Sequence, residues 1–347
     1  MTRILVVDDS LFIRKAITRI VAARPEMQVV AAAQSGEEAL ERMASSRPHV
    51  VTLDVDMPGM GGLATLREIQ RRYPGLPVIM LSMHTRAGAE TTLDAMGAGA
   101  VDFVDKSRLN VMDFDRLSHE LLDKIEGWKQ APHAYSWDSE PTPRPSAAAR
   151  VAIPRINWSA YDLCVIGAST GGPPALQQIV TTIPLDFSVP VVVVQHMPVG
   201  FTRPFAERLD ALGGVRVKEA TDHQVLRPGQ VLLARAGAHL TIEPNLTAHL
   251  SLEPVHAIHT PSVDVMMTSA SRARPGRVVG ILLTGMGEDG AQGMLTIHQA
   301  GGLTLAESEA SCVIYGMPRA AHTRGAVTHL LPLPEICALF AARSHDP

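Results

Sequence analysis

Residues 165–174 read Val-Ile-Gly-Ala-Ser-Thr-Gly-Gly-Pro-Pro, and this stretch predicts a sharp turn from a β-strand into an α-helix. The apolar run 163–166 leads into it and is typical of a buried strand. Pro174 opens the helical pattern that follows, where the missing N–H of proline costs nothing. Strands that turn directly into helices are the repeating unit of α/β folds.

The same stretch contains a candidate nucleophile. Residues 167–171 fit Gly-x-Ser-x-Gly, the nucleophile-elbow pattern, in the strand–turn–helix context that this pattern requires. Its central residue is Ser169. Two other interpretations share such a turn, namely a phosphate-binding loop and a simple tight turn. A nucleophilic serine also needs a base, an acid that orients the base, and an oxyanion hole.

Composition limits the class of protein. A chain of 347 residues is long enough for two domains, and a net charge of −4 without a basic cluster disfavours nucleic acid as a partner. The three cysteines are widely spaced and odd in number, so they indicate neither a disulfide framework nor a zinc site. No apolar stretch approaches about 18 residues. We expect a cytoplasmic protein without membrane insertion.

The first 126 residues alternate strands and helices. Five strand–helix units in this length predict a doubly wound parallel sheet of the flavodoxin-like (βα)5 type, with ligands at the carboxyl ends of the strands. The predicted strands cover residues 4–7, 29–32, 50–53, 77–81 and 101–104. The predicted helices cover residues 11–21, a segment that opens with a capping box at 35–38, and residues 63–72, 86–96 and 114–128.

Polar residues follow these strands at the predicted ligand edge. They are Asp8, Asp9, Asp54, Ser82 and Lys106. Three carboxylates at one edge would repel each other unless a divalent cation joined them, and an all-oxygen ligand set suggests Mg²⁺. A lysine and a hydroxyl on the same edge are suited to a phosphoryl group carried by a carboxylate.

Residues 1–126 resemble the receiver domain of two-component response regulators. The resemblance rests on Val7-Asp-Asp-Ser10, Leu53-Asp-Val-Asp-Met-Pro-Gly-Met60, Val78-Ile-Met-Leu-Ser82 and Asp102-Phe-Val-Asp-Lys106. It implies that Asp54 accepts phosphate from a histidine kinase. It also implies that Asp9, Asp54 and the backbone carbonyl of Asp56 bind Mg²⁺ with help from Asp8.

The receiver resemblance assigns further roles and has two exceptions. It implies that Ser82 and Lys106 hold the phosphoryl oxygens and that Phe103 is the aromatic switch residue. Gly61 stands where the family usually has aspartate, and Ser107 stands where it usually has proline after the lysine. Without that proline, the cis peptide that the family usually has after the lysine is not expected here. Phosphorylation chemistry is expected to survive both changes.

The remainder of the chain predicts a linker and a second domain. Residues 127–155 lose periodicity and accumulate proline, as in an extended tether. Residues 156–347 alternate again and predict a mostly parallel α/β sheet domain. Residues 227–234 and 239–242 interrupt the alternation and predict a β-hairpin insertion.

Two groups are placed to complete a site around Ser169. His196 ends the predicted strand 191–194, at the same sheet edge as the serine turn, and is the candidate base. Asp289 lies in the glycine-rich loop after strand 278–283 and is the candidate orienting acid. Backbone N–H groups after Ser169 and in the loop 285–287 are candidates for the oxyanion hole.

Asp264 is an alternative candidate for the orienting acid. His259 and Asp264 form a second histidine–aspartate pair ahead of a predicted helix over 262–273. Asp264 could replace Asp289, or it could serve only the dipole of that helix, which Ser262 would cap.

At these residues the second half resembles the catalytic domain of the CheB family of chemotaxis methylesterases. The motifs are Gly167-Ala-Ser-Thr-Gly-Gly172, Gln195-His-Met-Pro198, His259-Thr-Pro-Ser-Val-Asp264 and Leu283-Thr-Gly-Met-Gly-Glu-Asp-Gly290. The resemblance implies a Ser169–His196–Asp289 triad with backbone oxyanion donors at Thr170 and Met286. It implies hydrolysis of glutamate γ-methyl esters on the cytoplasmic domains of chemoreceptors, with no cofactor for that step, and deamidation of glutamines at the same site. It also implies that the unphosphorylated receiver blocks the catalytic face.

A signalling adaptor and a DNA-binding regulator are the two other classes of output that a receiver could control. In a signalling adaptor the receiver would control docking, and the second domain would be catalytically silent. A DNA-binding output would need a helix-turn-helix signal or a basic face, and the sequence has neither. The presence of all three triad groups favours the enzyme.

Overall fold

The protein is described from a computed structural model, which describes residues 1–83, 86–106, 114–129, 135, 137, 154–255 and 257–341. The chain forms two compact units, Met1–Pro145 and Ser146–Pro347. The predicted boundaries, 1–126 for the receiver, 127–155 for the linker and 156–347 for the catalytic domain, stay predictions. Most of the linker and Ser107 lie outside the described residues.

The first unit is a five-stranded parallel sheet with helices between its strands, as predicted. Its strand order is β2-β1-β3-β4-β5. The strands are β1 (Thr2–Val7), β2 (Met27–Ala33), β3 (Val50–Asp54), β4 (Val78–Ser82) and β5 (Asp102–Asp105). The helices are α1 (Leu11–Ala22), α2 (Gly36–Ser46), α3 (Gly61–Arg72), α4 (Arg86–Gly97) and α5 (Phe114–Lys129). The three middle strands are almost continuously apolar because helices cover both faces of the sheet.

The capping box predicted at the start of α2 is confirmed with one difference. The hydroxyl of Ser35 accepts the N–H of Glu38 at 3.3 Å, as expected. The carboxylate of Glu38 accepts the N–H of Gln34 at 2.8 Å, one residue before the cap. The two bonds provide acceptors for backbone N–H groups at the helix N-terminus, which have no carbonyl acceptor within the helix.

The second unit is a seven-stranded parallel sheet with a small antiparallel sheet beside it. The main strands are β6 (Leu163–Ala168), β7 (Val191–Gln195), β8 (Arg216–Glu219), β10 (Gln230–Leu233), β13 (Val278–Leu282), β14 (Leu303–Glu307) and β15 (His329–Leu331), in the order β15-β14-β13-β6-β7-β10-β8. The antiparallel sheet has the order β11-β12-β9, with β9 at Gln224–Val225, β11 at His239–Ile242 and β12 at Thr247–Ser251. The helices are α6 (Gly172–Thr182), α7 (Thr202–Ala211), α8 (Val263–Ala273), α9 (Ala291–Gln299), α10 (Met317–Thr323) and α11 (Leu333–Ala341).

One part of the predicted hairpin insertion was wrong. Residues 239–242 do form a hairpin, but their partner is β12, in the register His239↔Ser251 to Ile242↔Ala248. The segment 227–234, predicted as the other arm, contributes β10 to the main sheet, parallel to β7 and β8. Its residues Val231 to Leu233 are completely buried, which the parallel sheet allows and a half-exposed hairpin would not.

The strand order places the candidate site at the centre of the main sheet. The chain runs from β6 to β7 on one side, and later crosses to β13 on the other side of β6. The connections from β6 and to β13 thus run in opposite directions across the sheet. At such a point a crevice opens at the carboxyl ends of the strands. Met266 and Met267 on α8 are fully buried in the hydrophobic core of this unit. No helix within the described ranges is long and apolar enough to cross a membrane.

Candidate active site and acidic pocket

Ser169 lies at the turn between β6 and α6, and backbone contacts fix this turn. Its N–H donates to the carbonyl of Thr284 at 3.1 Å, and its carbonyl accepts the N–H of Gly172 at 2.7 Å. The side chain of Gln195 donates to the same carbonyl at 2.9 Å. Gly171 has φ +78, and a Cβ there would lie 2.4 Å from the Cβ of Val313, so the turn needs glycine.

His196 is beside Ser169 at the same sheet edge. Strands β6 and β7 pair in a register that sets Ala168 opposite Gln195, and the N–H of His196 donates to the carbonyl of Ala168 at 3.1 Å. The His196 side chain is about 10% exposed. Its ring stacks on that of His259, with 4.1 Å between the centroids.

Asp289 is held at the N-terminus of α8 by three donors besides His196. Its Oδ1 accepts the hydroxyl of Ser262 at 2.8 Å and the N–H of Asp264 at 2.9 Å. Its Oδ2 accepts the N–H of Val263 at 2.8 Å and Nε2 of His196 at 2.8 Å. The helix dipole adds to the attraction for this anion.

These contacts keep Asp289 ionised. Burial opposes the charge, but the hydrogen bond and the charge of His196, with the N–H groups of Asp264 and Val263, outweigh it. The pKa of the Asp289 carboxyl is therefore lowered to about 2. Asp289 is a carboxylate at any pH at which a histidine base is neutral.

The alternative acid, Asp264, contacts a different helix. Its carboxylate accepts the N–H of Gly293 in the first turn of α9 at 2.6 Å. Burial raises the pKa of its carboxyl. Ser262 caps α8, as predicted, by accepting the N–H of Val265 at 3.3 Å. The geometry therefore pairs Asp289, and not Asp264, with His196.

The two ring nitrogens of His196 differ in their surroundings. Nε2 is bonded to Asp289, whereas Nδ1 is buried and has no hydrogen-bond partner among the described residues. Within the same residues no hydrogen bond joins the Ser169 hydroxyl to His196. Catalytic hydrogen bonds are often long before substrate binds. With Nε2 carrying the proton given to Asp289, Nδ1 is the basic atom of the ring.

The loop after β13 packs directly against Ser169. A Cβ on Gly285 would lie 2.9 Å from the Cβ of Ser169, so the two backbones are in close approach. The hydroxyl of Thr284 donates to the carbonyl of Thr170 at 3.0 Å and accepts the N–H of Ile314 at 2.9 Å. The predicted oxyanion donors, the N–H groups of Thr170 and Met286, thus belong to two segments tied together beside the serine.

Glu307 supports this loop, and the sequence reasoning missed it. Its carboxylate is about 1% exposed at the end of β14. One oxygen accepts the N–H of Thr284 at 2.9 Å, and the other accepts the hydroxyl of Ser311 at 2.9 Å. Burial raises the pKa of this carboxyl, and both donors oppose the rise. The sequence signal that could have identified it is an acidic residue at the end of a buried apolar strand.

Replacing Glu307 by alanine is expected to lower the free energy of unfolding by about 1–3 kcal/mol, because the buried N–H of Thr284 loses its acceptor. Urea unfolding of the full chain measures this. Glu309→Ala is the matched control on the same loop, since Glu309 is exposed, and it should change stability by less than about 0.5 kcal/mol. Equal urea midpoints for the two variants would show that Glu307 does not stabilise this loop.

The first unit holds a separate acidic pocket. Carboxylate oxygens of Asp8, Asp9 and Asp54 lie within 4.8 Å of one another, with Asp8 and Asp54 fully buried. The ammonium group of Lys106 lies 2.5 Å from Oδ2 of Asp54 and 3.4 Å from Oδ2 of Asp8. Burial, with the charge of Asp8, raises the pKa of Asp54 to about 6 despite the lysine. The carboxylates of Asp8 and Asp54 repel each other, and a further cation would relieve this repulsion. The pocket therefore fits a hard divalent ion.

Among the other predicted receiver residues, Asp56 contacts this pocket directly. The N–H of Asp56 donates to Oδ1 of Asp54 at 3.2 Å. Ser82 ends the neighbouring strand β4, fully buried, and its hydroxyl accepts that of Thr92 at 2.6 Å. Phe103 is buried on β5. Gly61, the departure from the usual aspartate, has φ +71, which glycine adopts without strain.

Two family models match the chain. The model described as CheB methylesterase matches residues 164–340, and the model described as response regulator receiver domain matches residues 4–114. A relative from Oleidesulfovibrio alaskensis, named protein-glutamate methylesterase/protein-glutamine glutaminase 1, is 41% identical over 344 residues, which cover 92% of this chain and 93% of the relative. A relative from Symbiobacterium thermophilum, named protein-glutamate methylesterase/protein-glutamine glutaminase, is 42% identical and covers 96% and 94% of the two chains.

A solved structure also resembles the second unit. It is the crystal structure of the Thermotoga maritima CheB methylesterase catalytic domain, with a TM-score of 0.50 and 35% sequence identity. The match covers 52% of this chain and 97% of that domain.

Proposed function

The chain belongs to the CheB methylesterase family, and from that premise we propose that it is a phosphorylation-activated serine hydrolase acting on chemoreceptors. It hydrolyses glutamate γ-methyl esters on their cytoplasmic domains and deamidates glutamines at the same site. A histidine kinase supplies the phosphoryl group. The observation that carries the proposal is the 2.8 Å hydrogen bond between His196 and Asp289 at the sheet edge that also holds Ser169.

The first half of the reaction forms an ester on Ser169. Its Oγ attacks the carbonyl carbon of the glutamyl methyl ester, and Nδ1 of His196 takes the hydroxyl proton. The bond to the methoxy oxygen then breaks, and that oxygen takes the proton from His196 and leaves as methanol. Asp289 holds Nε2–H throughout and stabilises the ring while it is charged.

Water completes the cycle by the same route. It gives a proton to Nδ1 of His196 and attacks the acyl carbon, and the proton passes to Ser169 as the glutamate carboxyl departs. A glutamine substrate follows the same steps, with ammonia as the first leaving group. The chain's own groups suffice for this chemistry, and no cofactor takes part in it.

Negative charge develops on the carbonyl oxygen during both attacks. The N–H groups of Thr170 and Met286 are the proposed donors to it, on the two segments that Thr284 ties together. Each such donor is typically worth roughly 3–4 kcal/mol of barrier height. The Met286 N–H has no acceptor among the described residues, which supports its assignment.

The receiver is the proposed regulatory unit. Asp54 accepts the phosphoryl group, and Asp9, Asp54 and the carbonyl of Asp56 would hold Mg²⁺ with help from Asp8. The ion supplies charge neutralisation during phosphoryl transfer. Lys106 and Ser82 then hold the phosphoryl oxygens, and Phe103 responds as the aromatic switch. Phosphorylation relieves the block of the catalytic face.

Asp54→Asn is expected to abolish the activation of ester hydrolysis by a small-molecule phosphodonor, because the amide cannot form an acyl phosphate. Methanol release from methylated receptor fragments is measured with and without the phosphodonor and Mg²⁺. Asp56→Asn is the matched control, since only its backbone carbonyl has a proposed role, and it should be activated like the wild type. Equal activation of Asp54→Asn would refute phosphorylation at this residue.

A further inference from the structure

A cluster of two histidines and one aspartate lies outside the candidate active site, beside the small antiparallel sheet. It consists of Asp222, His223 and His249. One ligand atom from each residue lies within 4.8 Å of the others. Nδ1 of His249 is 2.9 Å from Oδ1 of Asp222, and Nε2 of His223 is 3.4 Å from Oδ2. Both imidazoles therefore direct a nitrogen at the same carboxylate.

The backbone holds this arrangement. Oδ1 of Asp222 also accepts the N–H of Leu250 at 2.8 Å and that of His223 at 3.1 Å. His223 has φ +58, a conformation that is uncommon outside glycine. Strand β9 pairs with β12 directly after this turn, in the register Ala248↔Gln224. The cluster thus links a turn to the strand beside it.

Its chemistry differs from that of the acidic pocket in the first unit. Imidazole nitrogens and a carboxylate oxygen are a ligand set for Zn²⁺, whereas the all-carboxylate pocket suits Mg²⁺. Asp222 supplies the negative charge of the set, and each imidazole places one nitrogen within 3.4 Å of that carboxylate. A divalent cation bound here would be held by both imidazole nitrogens and by this carboxylate.

The cluster is open to solvent and borders a cavity. The side chains of Asp222, His223 and His249 are 45%, 70% and 40% exposed, so an ion can enter without rearrangement of the fold. A cavity of about 440 Å³ adjoins it, lined by Asp222 and Leu250 together with Val199 and Arg235. Three protein ligands leave a tetrahedral ion one position for water or for a group in that cavity.

We propose that Asp222, His223 and His249 form a binding site for a zinc-class divalent cation, with one coordination position open. The ion joins the turn at 222–223 to strand β12 and strengthens the antiparallel sheet. The site is independent of ester hydrolysis, since none of its ligands belongs to the triad.

Zinc titration of the full chain by calorimetry tests the proposal. Wild type should bind one more equivalent than His249→Gln, or bind it at least tenfold more tightly. Asp222→Asn and His223→Asn should show the same loss, and asparagine tolerates the backbone conformation of residue 223. His322→Ala, at an exposed histidine on α10, is the matched control and should bind as wild type does. Asp54→Asn removes a ligand of the acidic pocket and should retain the extra equivalent.

Two further readouts separate ligation from misfolding. Zn²⁺ should raise the melting temperature of wild type more than that of His223→Asn, while the two proteins melt together without metal. The electron paramagnetic resonance spectrum of bound Cu²⁺ should show two coordinated nitrogens in wild type and one in His223→Asn. Identical titrations, or identical copper spectra, for wild type and the ligand variants would overturn the proposal.

Discussion

Replacing Ser169 by alanine is expected to abolish methanol release from methylated receptor fragments, with a fall in rate of about 10⁶-fold. The hydroxyl is the only group of the protein proposed to bond to the acyl carbon, and without it the acyl-enzyme that water hydrolyses cannot form. The structure gives the variant little reason to misfold, because the contacts that fix the turn come from the backbone of Ser169. Methanol release with phosphodonor present is the measurement.

A covalent probe separates the enzyme from the signalling adaptor. A fluorophosphonate should label wild type and Ser159→Ala, an exposed serine of the same unit, and should leave Ser169→Ala unlabelled. A wild type that neither takes the label nor releases methanol would favour an adaptor with a silent second unit. Labelling of Ser169→Ala at the wild-type rate would assign the nucleophile elsewhere.

Local patterns were enough to predict most of the fold. Each strand of the first unit is a short apolar run between turn signals, and each helix has an apolar periodicity of its own. The local sequence therefore specifies these strands and helices. The error at 227–234 has a different origin. Its sequence resembles a hairpin arm because Pro228 and Gly229 punctuate it, but the partners of β10 are β7 and β8. Pairing across that distance depends on tertiary packing, which local patterns do not encode.

Local patterns also predicted part of the candidate site. Ser169 and His196 follow apolar strands, and parallel strands bring their carboxyl ends to one edge, so position along the chain was sufficient. The choice between Asp289 and Asp264 depended on a loop and a helix N-terminus meeting in space, and the sequence left it open. The rotation of the His196 side chain decides which ring nitrogen faces Asp289, and the spacing of residues in the sequence does not specify that rotation.

Asp289→Asn is expected to lower the rate of ester hydrolysis by about 10⁴-fold. Four donors converge on the two carboxylate oxygens, from His196, Ser262, Val263 and Asp264. An asparagine amide has one oxygen acceptor, so its NH₂ group must face donors that the carboxylate accepts. If that group faces Nε2, the imidazole keeps its proton on Nδ1, the atom that has to receive the proton of Ser169. The measurement is the rate of methanol release at saturating methylated receptor.

The matched control for this substitution is Asp264→Asn, the same change at the rival carboxylate. Its side chain accepts the N–H of Gly293, and an amide oxygen can still accept that bond. We expect the rate to fall less than about tenfold, because the backbone N–H that Asp264 gives to Asp289 is unchanged. A large loss in Asp264→Asn with a small one in Asp289→Asn would make Asp264 the acid of the triad. Losses of equal size, with both variants folded, would mean that the N-terminus of α8 acts as one unit in holding His196.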